Sequence, residues 1–155
     1  KSSEASTRRE AIIIYDAWLA GYASHVNRVA ENTYDISPVV NSLDMLNLLI
    51  QQCERNPDAV VETIVSGVLA ALSDAKIESE SGMVTIGDGK DARDYRRATI
   101  IAVQRKLDEL GILNGRADGR YGPKTAASLR AFQKSRSLPE TGHLDSRTLL
   151  SLLLG

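Results

Sequence analysis

The chain has 155 residues, 43% of them hydrophobic and 25% charged, a composition that excludes wholesale disorder and leaves room for one ordinary domain or two small ones. No run of residues approaches the roughly 18 apolar positions that a membrane span requires, and one large enzyme fold does not fit the length. The net charge of −1 conceals a split, because residues 1–78 carry 6 Lys/Arg against 11 Asp/Glu, a net −5, while residues 95–155 carry 11 against 5, a net +6.

In the acidic half, Ile13, Trp18, Leu19, Tyr22 and Val26 fall on helical spacing. Residues 32–38 read as a loop, Ser42 as an N-cap, and Leu43, Leu46, Leu49 and Ile50 as a second stripe. Asn56-Pro57-Asp58 breaks the chain before a third stripe of Val60, Val61, Ile64, Val65, Val68, Leu69 and Leu72. Residues 73–94 mix small, charged and glycine residues without periodicity and are expected to be a linker, with Met83–Ile86 as extended linker rather than a paired strand.

In the basic half, Thr99 is expected to cap a helix with Ile100, Val103, Leu107 and Leu110 on its buried face, and Gly111 to stop it. Asp118-Gly119 and Gly122-Pro123 bracket a turn, Ala126, Leu129 and Phe132 face inward from a second helix, and Asp145 caps a third helix carrying Leu149, Leu152 and Leu153. The expected fold is all-α with two small helical domains: residues 1–72, the linker 73–94, and a three-helix bundle over 95–155.

The single cysteine, Cys53, permits no internal disulfide, and the chain opens at Lys1 without Met or a leader pattern, as a processed or trimmed chain would. His25 and His143 are the only histidines and share no context that suits a metal site or a proton relay. A Cys53–His25 nucleophile pair lacks a nucleophile elbow and an oxyanion loop, so no catalytic constellation, metal or cofactor is expected. Tyr95, Tyr121 and Phe132 make no stacking platform for nucleic acid.

The stretch from Val103 to Leu153 resembles the peptidoglycan-binding-like domain of bacterial wall hydrolases. The resemblance is carried by Gln104 and Leu107, the turn Asp118-Gly119-Arg120-Tyr121-Gly122, Thr125, Phe132-Gln133, Leu138-Pro139, Thr141-Gly142, Leu144-Asp145 and Thr148-Leu149. It implies a three-helix fold, peptidoglycan as partner and a periplasmic or secreted location. The basic residues Arg116, Arg120, Lys124, Arg130, Lys134 and Arg136 then offer partners for the carboxylates of the wall's peptide stems. The expected site is a shallow groove lined by Arg120, Tyr121, Thr125 and Gln133, with Lys124 about one helical turn from Arg120 and a stem carboxylate over the second helix's amino terminus.

Trp18-x-x-Gly21-Tyr22, then Asn27, then Cys53-Glu54-Arg55-Asn56-Pro57 resembles a group of small secreted helical proteins related in pattern to periplasmic acid-stress chaperones. That group links two cysteines, and the first is lacking here; the resemblance implies a partner for Cys53 upstream of Lys1, the alternative being a buried thiol. Together the two halves read as a non-catalytic wall-binding protein with an N-terminal module that contacts another, unidentified protein. The alternatives are the targeting portion of a wall hydrolase and a wall-tethered acid-stress chaperone.

Overall fold

The computed structural model describes residues 2–39, 42–87, 89 and 92–155, with the side chains of residues 2–4 and of Leu43 outside that description. The fold is mostly helical, and among the described residues its only sheet has two strands. Two compact units divide the chain: Lys1–Ser37 with Asn41–Glu78, and Pro38–Val40 with Ser79–Gly155.

The first unit holds helices α1 (Ser2–Val29), α2 (Ser42–Arg55) and α3 (Val61–Ala71), followed by a 3₁₀ turn at Ser73–Ala75. Its core is built from Leu19, Ile36, Met45, Leu46, Leu49, Val65, Leu69, Leu72 and Ile77. Asn27 fixes the loop after α1, accepting the Ile36 N–H at 2.7 Å while Asp35 forms a backbone bridge to Ile77. The buried side of α1 runs through Leu19 with Ile12, Ala23 and Val26 partly covered. Successive helix residues are rotated by about 100°, so Ile13 and Trp18, two members of the expected helical stripe, turn away from that side and are 62% and 41% exposed. Cys53 is a half-buried free thiol in the last turn of α2, and its expected partner upstream of Lys1 lies outside the described residues. Asn56 closes that helix by donating its backbone N–H to the Gln52 and Cys53 carbonyls.

The second unit holds strands β1 (Met83–Ile86) and β2 (Arg93–Arg96) and helices α4 (Arg97–Glu109), α5 (Pro123–Ser135) and α6 (Ser146–Leu154). Residues 73–94 are therefore not one irregular linker. Their start supplies Ala75 and Ile77 to the first core, and their end forms an antiparallel hairpin in which Met83 pairs with Arg96 and Ile86 with Arg93. The mate of β1 escapes periodicity because Arg93-Asp94-Tyr95-Arg96 is polar. Tyr95 nevertheless anchors the hairpin, its hydroxyl donating to the Leu144 carbonyl.

Ile86, Ile100, Val103, Leu107, Leu129, Phe132, Leu144, Leu149 and Leu152 form the second core. Arg96 is the N-cap residue of α4, so Thr99 does not cap it; that side chain is buried one turn inside and donates to the Pro38 carbonyl at 3.0 Å. Leu110 stands at the C-cap and is exposed, while Gly111 takes φ +70° and ends the helix as the sequence suggests.

Candidate functional site

Each loop joining the three C-terminal helices is organised by one buried glutamine. Gln104 on α4 accepts the Gly119 N–H at Oε1 (2.8 Å) and donates from Nε2 to the Arg120 carbonyl (3.0 Å) and the Thr125 hydroxyl (3.1 Å). Gln133 on α5 repeats the pattern, accepting the Gly142 N–H (2.8 Å) and donating to the His143 carbonyl (3.0 Å) and the Thr148 hydroxyl (3.0 Å). Both side chains are fully buried, and an amide has only one oxygen and two N–H groups to spend. Gly119 and Gly142 sit at φ +73° and +72°, where a side chain is strained. The two loops are thus copies of one device, spaced Gly119, Thr125, Leu129 and Gly142, Thr148, Leu152.

The copies differ three residues after the glycine. In the second copy this residue is Asp145, the N-cap of α6, whose two carboxylate oxygens accept the Thr148 N–H and the Thr148 hydroxyl, each at 2.9 Å. In the first copy it is Gly122, and α5 starts without a side-chain cap and with no acidic residue in its first turn. Beside that open end lies a cleft of about 440 Å³ whose lining includes Gln104, Arg116, Asp118, Arg120, Lys124 and Thr125.

Among the described residues, the side chains of Arg116, Arg120 and Lys124 form no salt bridge. The cleft's own carboxylate, Asp118, accepts the Arg120 backbone N–H at 2.9 Å, which holds its carboxyl below the usual carboxylate range. Desolvation opposes that shift, and the Gln104 side chain and the Arg120 charge add to it. Three cations against one carboxylate leave the cleft positive by two charges, suited to an anionic group.

The expected groove is only partly assembled. The cleft brings Arg120, Lys124 and Thr125 together, but Gln133 is a correction, because its amide is buried and consumed in holding the second turn. Tyr121 also lies outside the cleft lining. It is half-buried with its hydroxyl donating to the Gly142 carbonyl, and burial pushes that hydroxyl's pKa up against the opposing charge of Arg130. Thr125 is nearly buried and serves Gln104 as well as the cleft wall. Asn114, Arg116 and Asp118 also line the cleft and were absent from the expected groove, although Arg116 stood among the basic residues expected to meet carboxylates; the signal for them was the Asn114-to-Asp118 loop immediately before the turn. No group of His, Cys, Asp and Glu among the described residues has a metal-binding arrangement, and no helix there is long and apolar enough to cross a membrane.

Residues 96–152 match the family described as "Putative peptidoglycan binding domain", so the second unit contains a peptidoglycan-binding-like domain. A 49-residue segment, 32% of the chain, is 49% identical to "Putative OxPP cycle protein OpcA" of Nostoc punctiforme, and the chain spans only 10% of that relative's length. No solved structure matches the chain. The resemblance of residues 1–72 to acid-stress chaperones lies outside the family match and gains no support from it.

Proposed function

We propose that this chain is a non-catalytic cell-wall protein, periplasmic or secreted, whose C-terminal unit holds peptidoglycan and whose N-terminal unit contacts another protein. The family match over residues 96–152 carries the reading. The cleft supports it, because peptidoglycan presents its free carboxylates on the peptide stems, and Arg116, Arg120 and Lys124 line a concave site in which Asp118 is the one carboxylate against three cations. For the N-terminal unit, support comes from Ile14 and Trp18, large apolar side chains four residues apart on one face of α1 and both exposed.

Co-sedimentation of the full chain with purified sacculi tests the wall-binding reading. The parent is expected to pellet with the sacculi, and the double variant Arg120→Gln/Lys124→Gln to bind at least about tenfold more weakly at low salt, since bonds to charged groups are the stronger ones. The difference should narrow at high salt, where exposed charges are screened. A parent that stays in the supernatant overturns the reading.

The second reading, the targeting portion of a wall hydrolase, draws support from one observation: the matched segment occupies a small part of a much longer relative. That relative's name makes no reference to the wall, so the measurement decides and not the likeness. Release of dye from labelled sacculi by the complete gene product would favour the hydrolase.

A further inference from the structure

We infer that Pro38 and Val39 form a strap that holds the first turns of α4, and that Thr99, which fastens it, is a positioning residue for the Gly119-Arg120 turn of the cleft. The inference rests on the wall-binding reading for its effect on binding, and it places part of the binding unit's support outside residues 96–152.

Pro38 and Val39 are buried and belong to the second unit, although the sequence sets them in the first half. Their entry is fixed just upstream, where Asn27 accepts the Ile36 N–H and Asp35 accepts the Ser37 N–H. Thr99 is fully buried on α4, and its hydroxyl donates to the Pro38 carbonyl at 3.0 Å. Proline has no N–H, so that carbonyl is the one backbone group by which Pro38 can be fastened. The start of α4 needs such outside support: Arg96 gives it no side-chain cap, and the Arg97 and Ala98 N–H groups are accepted by the Gly82 carbonyl and the Ser81 hydroxyl. Successive residues of a helix turn by about 100°, so Arg97 and Ile101 stand roughly opposite Thr99. On that side lies the cleft's turn. A Cβ built on Gly119 would stand 2.6 Å from the Cγ of Arg97 and 3.0 Å from the Cγ1 of Ile101, so the turn lies directly on those two side chains. Gln104, one turn along α4 from Ile101, accepts the Gly119 N–H and donates to the Arg120 carbonyl. The first turns of α4 are thus gripped between the strap and the turn that carries Arg120, and packing this close passes a displacement on one side to the other.

The test uses the full-length chain, read by its amide NMR spectrum without ligand and by co-sedimentation with purified sacculi. Thr99→Val strands the Pro38 carbonyl, Thr99→Ser keeps the donor, and Val39→Ala loosens the strap without touching α4. Thr99→Val is expected to move the amide resonances of Gly119 and Arg120 along with those of Arg97 to Ile101, to leave those of α6 in place, and to weaken sacculus binding at least about threefold. Val39→Ala should move the same resonances in the same direction by less, and it carries the test should Thr99→Val fail to fold. Thr99→Ser should keep the parent's Gly119 and Arg120 resonances and bind within about twofold of the parent. Unmoved Gly119 and Arg120 resonances in the folded variants, unchanged binding where those resonances do move, or a Thr99→Ser variant as impaired as Thr99→Val overturns the inference and leaves the wall-binding reading intact. A parent that ignores sacculi overturns that reading and with it the strap's effect on binding, and the resonances alone then decide whether the strap positions the turn.

Discussion

Gln133 shows how a residue that looks like a ligand contact is consumed by architecture. Its amide satisfies the Gly142 N–H, the His143 carbonyl and the Thr148 hydroxyl at once, so truncation strands several buried polar groups. Gln133→Ala is expected to cost about 3 kcal/mol or more in chemical denaturation followed by circular dichroism. Gly142→Ala should cost about 1–3 kcal/mol, since its φ is +72° and the new Cβ would stand 3.0 Å from the Ala126 carbonyl oxygen. A loss below about 0.5 kcal/mol for either would contradict the role given to the turn. The sequence marks Gln104 and Gln133 as motif members, but a glutamine pattern is the same whether its amide faces a ligand or a backbone turn. Only the recurrence of Gly, Thr and Leu at equal spacing after each glutamine's loop separates the two, and that recurrence is visible in the sequence alone.

At the scale of elements, the helices of the second unit were legible because their apolar positions, glycine stops and the Asp145 cap agree. Asp145→Ala should destabilise that unit by about 1 kcal/mol, read as a lower denaturation midpoint with unchanged slope. The hairpin was not legible: β2 carries three charges in four residues, and its place is set by the Tyr95 hydroxyl, by pairing with β1 and by the 2.6 Å hydrogen bond from Thr85 to Asp94. Helix α1 was misread in a different way. The run Ala11 to Tyr15 is apolar around a full turn, so periodicity alone does not choose a buried side. The choice falls to Leu19 and the partly covered residues in register with it. This leaves Ile14 and Trp18 exposed, and the double variant Ile14→Ser/Trp18→Ser is expected to keep sacculus binding within about twofold of the parent, as surface changes remote from a binding site usually do. A tenfold loss would place wall binding, or part of it, in the N-terminal unit.

For the whole molecule, the opposite charges of the two halves were plain in the composition and agree with the proposed division of labour. The cationic part is the one that matches a peptidoglycan-binding family and carries the cleft. What composition does not convey is which cations gather: Arg116, Arg120 and Lys124 line one cavity, whereas Arg136 lies over the Phe132 ring at the other end of α5. The most direct measurement is the amide NMR spectrum of the labelled full chain titrated with soluble muropeptides that retain their stem carboxylates. The account predicts shifts concentrated at Asn114, Asp118 to Gly122, Lys124 and Thr125, with residues 2–37 unmoved. Shifts confined to α1–α3, or to the α6 end around Asp145, would contradict it, as would a spectrum that does not change.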